Sequence, residues 1–159
     1  HKLNISAVFC GRDKGYLDKI KKYSLDIGHN KNTYFLDFVE DDYLPYLYKN
    51  SLALVMPTFS GPTNIPPWEA FKLEVPVFYS DIHNIKKVYK EAVFYIDPFN
   101  PSSLADGIVE ITDNLEKKSQ LISNGLRLLN DVDENKEFGQ FLKIFNKRRK
   151  IKDTWEFIN

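Results

Sequence analysis

The sequence holds a single cysteine, Cys10, so no disulfide can form within the chain and the cross-linked framework of a small secreted domain is excluded. A reducing, cytoplasmic setting is the expectation. Net charge is also missing: 22 basic and 22 acidic residues cancel, which leaves no overall basic bias to suggest nucleic acid as a partner. No apolar run approaches the roughly 18 to 20 residues that a membrane-spanning helix needs, and no signal-peptide pattern opens the chain. His29 and His83 have no second His, Cys or carboxylate cluster at ligand spacing, so no metal site is expected. Gly11-Arg12-Asp13-Lys14-Gly15 follows the first apolar run, but it fits neither G-x-G-x-x-G nor the Walker pattern, and Arg12 and Lys14 read as solvated turn residues. A chain that opens on His1, with no initiator methionine, is expected to be a piece of a longer one.

What is present is ample apolar material. Forty-three per cent hydrophobic and 14% aromatic residues over 159 positions suffice for one domain with its own core. Short apolar runs at 3–10, 33–39, 52–56, 75–79 and 92–96 read as strands, and 52–56 has the unbroken apolarity of a parallel strand buried on both faces. Helical patterns lie between them. Tyr16, Leu17, Ile20, Tyr23, Leu25 and Ile27 make a stripe closed by Gly28. Glu40, Asp41 and Asp42 offer caps for a helix at about 43–50, and Ser80-Asp81 for one at about 82–90. Pro101 opens a helix with the stripe Leu104, Ile108, Ile111 and Leu115; another carries Leu121, Ile122, Leu126 and Leu129. Repeated alternation of strand and helix predicts an α/β fold, a Rossmann-like doubly wound parallel sheet.

The chain is organised around residues 52–80, which read strand, loop, helix, strand. The loop after 52–56 lies at the carboxyl end of its strand, the edge where open α/β sheets bind ligands. It leads into a short helix near Pro66-Pro67 whose N-terminal amides favour an anion such as phosphate. Pro57, Pro62, Pro66 and Pro67 have no N–H to offer, which leaves Thr63, Asn64 and Ile65 as donors. Glu69 is placed in the helix's first turn, where its two carboxylate oxygens suit a vicinal diol. The pattern fits a ribose and a phosphate; it fits equally a rigid turn followed by a dipole-matched surface glutamate.

The run Gly61-Pro-Thr-Asn-Ile-Pro-Pro-Trp-Glu69-Ala70, followed by Val75-Pro76-Val77, resembles the donor-site signature of the group 1 retaining glycosyltransferases of the GT-B fold. That signature carries two glutamates with seven residues between them, then Ala and a Gly-x-Pro-Val strand start. Glu69 matches the second glutamate, which in the family holds the nucleotide ribose. Gly61 stands where the family has the first, a donor-sugar contact, and Glu74 replaces its helix-ending glycine, so the helix is expected to end without that residue. Phe-Leu-Asp-Phe-Val and the following Leu44-Pro45-Tyr46-Leu47-Tyr48 are similar to a family segment in which the loop after the strand approaches the nucleotide base through backbone atoms; Phe38 and Val39 take that role or serve as core strand residues. The closing pattern around Asp97-Pro98 and Leu104 is similar as well.

The resemblance implies a single nucleotide-sugar-binding domain over 1–159, the C-terminal half of a hexosyltransferase-type enzyme, lacking its first strand and the acceptor-binding N-terminal domain. It implies donor binding by Glu69, Thr63, Asn64, Ile65, Gly61, Pro66, Phe38 and Val39, with a nucleotide diphosphate sugar as substrate and no metal or other cofactor required. No residue reads as a general base, and the chain alone is expected to transfer no sugar. The alternative is a non-catalytic nucleotide-sugar-binding or interaction module, motivated by Gly61. A phosphoacceptor domain would need paired acids after the first strand, where Cys10-Gly11 stand, and a lone Asp after the third, where Met56-Pro57 stand. Residues 147–159 open with four cations, Lys147 to Lys150, and continue with Ile151, Trp155 and Ile158. They are expected to cross back to the missing domain; the cations read first as a solvated stretch, and alternatively as a patch for anionic lipid, which would imply peripheral association of the full-length protein with the inner face of a membrane.

Overall fold

The computed structural model describes residues 3–60 and 64–131. Five strands alternate with helices: β1 (Ala7–Cys10), α1 (Leu17–Asp26), β2 (Thr33–Leu36), α2 (Leu44–Lys49), β3 (Leu54–Met56), α3 (Ile65–Lys72), β4 (Val77–Ser80), α4 (Ile85–Tyr89) and β5 (Phe94–Ile96). Two helices follow, α5 (Pro101–Asp113) and α6 (Leu115–Asp131). Every strand pairing is parallel, as the doubly wound α/β reading requires. The hydrogen bonding falls into two parts, β1 with β2 and β3-β4-β5 in that order. One edge each of β1 and β3 is therefore without a strand partner among the described residues.

Burial follows that division. All four residues of β4 are buried, because β4 has a strand on either side and helices over both faces. Its alternation sorts the core: Val77 and Tyr79 join Ala70 and Phe71 of α3, Ile85 and Tyr89 of α4 and Leu128 of α6. Phe78 joins Ile96 of β5, Ile111 of α5 and Leu121 of α6 on the other face. β3, expected to be buried on both faces, is only half-buried throughout, since it is covered along one edge alone. All of β1 is exposed, including Val8 and Phe9; the Phe9 ring stacks on Phe35 at 5.2 Å, and little else covers it.

Several sequence expectations shift for local reasons. In α1 only Leu17, Ile20 and Ser24 turn inward; Tyr23 and Leu25 are exposed because they lie off the 17-20-24 face, and Ile27 is exposed at the C-cap, past the end of the helix. Leu115 does not extend the α5 stripe: the chain breaks at Asn114, whose Oδ1 accepts from the Lys117 amide, and Leu115 opens α6 exposed. Neither acidic cluster caps its helix. Tyr43 occupies the cap position of α2 without a side-chain bond, and Asp81 instead pairs with Lys86 at 2.6 Å. The side chains that do accept from helix-start amides are Asn100, from Ser102, Asn114, from Lys117, and, three residues ahead of the cap position of α1, Asp13, whose Oδ1 accepts from Gly15, Tyr16 and Leu17.

At the end of α3 the left-handed conformation survives without its glycine. Glu74 takes φ 60°, its amide donating to Phe71 and that of Val75 to Ala70. A side chain in this region costs about 1–2 kcal/mol, and glycine returns roughly 0.5–1 of that as entropy of the unfolded chain. Glu74→Gly is accordingly expected to stabilise the fold by about 0.5–1 kcal/mol, read as a higher denaturation midpoint. A lower midpoint would mean that the exposed Glu74 side chain contributes more than its backbone costs.

Candidate functional site

The site is assembled where β3 ends and α3 begins. β3 closes at Met56, and Pro57 to Ser60 continue as a loop, exposed except at the half-buried Thr58, whose hydroxyl donates to the Ser60 carbonyl. Gly61 and Thr63, two of the sequence candidates, lie outside the described residues. α3 starts at Ile65, one residue ahead of its two prolines, so of its first three residues only Ile65 carries an amide N–H. The early start also moves Glu69 out of the first turn into the second, which overturns the placement read from Pro66-Pro67. The helix dipole is then a weak reason for an acid here.

A side-chain partner is the stronger reason. The hydroxyl of Tyr48, on α2, donates to Glu69 Oε2 at 2.8 Å, and both residues are half-buried. The bond ties α2 to α3 and leaves Oε1 unclaimed by it. Burial, with the carboxylate's charge and hydrogen bond added, pushes the Tyr48 hydroxyl well above the ordinary tyrosine range, so it stays a proton donor throughout physiological pH. The Cys10 thiol at the end of β1 is within electrostatic reach of the same hydroxyl, and burial pushes that thiol up too.

Asn64 sits at the cap position of α3 but does not cap with its side chain. Its Nδ2 donates to the Tyr79 hydroxyl at 2.8 Å, and its carbonyl accepts from the Tyr89 hydroxyl at 3.4 Å. Both tyrosine rings are fully buried, and burial raises both hydroxyls. Two core aromatics thus fix the entry to α3 through their polar ends. Pro66 is half-buried and the Ile65 side chain is exposed.

The other two candidates stand apart from this group. Phe38 and Val39 follow β2 instead of ending it, since that strand stops at Leu36. Phe38 is exposed beneath the Arg12 guanidinium, 5.5 Å from the ring centroid, and Val39 is half-buried. Arg12, read as a solvated turn residue, therefore has a ring partner. The structure brings together Asn64, Ile65, Pro66 and Glu69 with Tyr48; Tyr48, Tyr79 and Tyr89 are the members that sequence reasoning missed. The signal for them was weak: a buried tyrosine needs a partner for its hydroxyl, but nothing in linear spacing says which. Among the described residues no group of three or more His, Cys, Asp or Glu side chains could hold a metal ion, and no helix is long and apolar enough to cross a membrane.

Comparison with known proteins gives this geometry its context. An uncharacterized glycosyltransferase of Methanocaldococcus jannaschii is 27% identical over 126 residues, which cover 78% of this chain and 32% of that protein. The serotype-specific mannosyltransferase WbdA of Escherichia coli is 30% identical over 81 residues, 51% of this chain and 10% of its own length. Sucrose-phosphate synthase from Thermosynechococcus elongatus shares the fold with a TM-score of 0.75 at 17% identity, over 91% of this chain and 38% of that one. Anabaena HepE, solved in complex with UDP, does so with a TM-score of 0.73 at 19% identity, over 87% and 41%. This chain thus spans less than half the length of each of these relatives. The family model described as "Glycosyl transferases group 1" matches residues 1–127, and the chain belongs to that family.

Proposed function

We propose that this chain is the donor-binding half of a retaining glycosyltransferase of the GT-B fold. It takes a nucleotide diphosphate sugar, holds the nucleotide ribose on Glu69 and the phosphates near the amides leading into α3, and presents the sugar to an acceptor hydroxyl bound by a second, N-terminal domain. The observation that carries the reading is the Glu69 carboxylate, anchored at 2.8 Å through one oxygen at the loop-to-helix edge of β3. The UDP complex of one neighbour supports a nucleotide donor. The unpaired edge and exposed apolar face of β1 suit a further strand from that larger protein. Relatives named as mannosyltransferases, and one solved neighbour named for lipopolysaccharide biosynthesis, favour a hexose donor and a polysaccharide or glycoconjugate product. Gly61, standing where the family carries a glutamate, favours a second reading, a binding module without transfer.

Titration calorimetry with UDP, GDP and ADP tests the first part. At least one should bind, in the high micromolar to millimolar range, and a chelator should leave its affinity unchanged. No heat from any of them would overturn donor binding, and a strict need for magnesium or manganese would contradict metal-independent binding. A panel of nucleotide sugars offered to the full-length protein separates transferase from module. Retention is then read from the anomeric configuration of the product by proton NMR.

A further inference from the structure

We infer that Tyr48 is a positioning residue for the donor nucleotide: its hydroxyl holds Glu69 Oε2 so that Oε1 faces the ribose diol, which makes the pair selective for ribose over sugars lacking those hydroxyls. The inference rests on the proposed role of Glu69 and deepens it. A glutamate has three side-chain torsions, and in the second turn of α3 the dipole does little to orient it. The 2.8 Å bond from Tyr48 supplies that orientation. Tyr48 is itself fixed at both ends. Its ring packs against the core cluster of Phe71, Tyr79 and Tyr89, and α2 carries it from the turn that follows β2. The same hydroxyl lies 3.5 Å from the Pro66 carbonyl, so it sits over the first turn of α3 as well as beside Glu69. The carboxylate is also left with an acceptor oxygen and no spare donor, which a vicinal diol satisfies and a dideoxyribose does not. Sites that hydrogen-bond a hydroxyl discriminate strongly against analogues without it.

The test is a cycle on the 159-residue chain, using whichever of UDP, GDP and ADP binds best together with its 2′,3′-dideoxy counterpart. Tyr48→Phe keeps the ring and removes the hydroxyl. It should weaken the ribonucleotide about 3- to 10-fold, the order expected for one hydrogen bond, and leave the dideoxy form unchanged. In a Glu69→Ala background the same substitution should change neither. Equal weakening of both nucleotides by Tyr48→Phe, or the same loss with and without Glu69, would make the hydroxyl a packing element and overturn the inference. A Tyr48→Phe chain that no longer melts cooperatively would overturn it in the same way. If Glu69→Ala alone leaves ribonucleotide binding intact, the assignment of Glu69 fails first. If Glu69→Ala weakens it and Tyr48→Phe does not, only the role of Tyr48 is lost.

Discussion

Glu69→Ala is expected to lower the affinity of this chain for a nucleoside diphosphate by about 10- to 100-fold, the largest single effect on binding that the site offers. Hydrogen bonds to a charged group contribute roughly 1.5–3 kcal/mol each, and each 1.4 kcal/mol is about a factor of ten in affinity. Two opposing considerations fix where in that range the effect falls. Glu69 is half-buried, so water screens it in part and holds the loss below that of a fully desolvated ion. Against this, the Tyr48 hydroxyl already fixes one oxygen, so little entropy remains to be lost when the ribose binds. Starting from high micromolar to millimolar binding, the variant should bind in the millimolar range or more weakly, an affinity that ligand-observed NMR still reads. The fold should tolerate the change, since the hydroxyl left without its acceptor is itself half-buried and within reach of water. Thermal melting separates the two effects: a binding loss with an unchanged midpoint supports the assignment, and undiminished binding removes Glu69 from the site.

The loop-to-helix junction after β3, and a glutamate within that helix, were legible because they rest on local chemistry. Prolines, a helix start and an acid a few residues later can be read in a line, and the parallel α/β order follows from the alternation of apolar runs. The dipole argument for Glu69 misled, because Ile65 opens the helix before the prolines and moves the acid into the second turn. What oriented Glu69 was a tyrosine 21 residues earlier, on another helix, and such a contact leaves no periodic trace. The same holds for Asn64, which reads as a helix cap but is held by Tyr79 and Tyr89 from the core. Helix faces were read well where apolar residues line one side, as with Ile108 and Ile111. They were misread in α1, where apolar residues surround the helix and only the Leu17, Ile20 and Ser24 side finds cover. Glycines at close contacts were the least visible of all, since Gly107 and Gly125 carry no hydrophobic signal yet sit at buried positions of α5 and α6.

Gly107 explains why Phe78→Ala should be the most damaging single truncation in the second core cluster. Phe78 is fully buried, its ring centroid 5.0 Å from that of Phe94, and α5 crosses these rings at Gly107. A Cβ at position 107 would come within 2.7 Å of Cε1 of both rings, so the helix backbone is seated directly on them. Phe→Ala in a core costs about 3–5 kcal/mol, depending on how far the surroundings collapse. Here collapse is hindered, because the nearest wall is a glycine with no side chain to swing into the space. The cost should fall in the upper part of that range, a large share of the roughly 5–15 kcal/mol that holds a typical domain folded. Gly107→Ala alone should also destabilise, by about 1–3 kcal/mol from overpacking, although alanine is the better helix former by about 1 kcal/mol. Combined, the two should cost less than their sum, because the methyl placed at 107 enters room vacated by the Phe78 ring. Urea unfolding of the two single variants and the double variant measures this directly. Strict additivity would show that α5 can shift away from the rings, and that the Gly107 contact does not set the packing of this face.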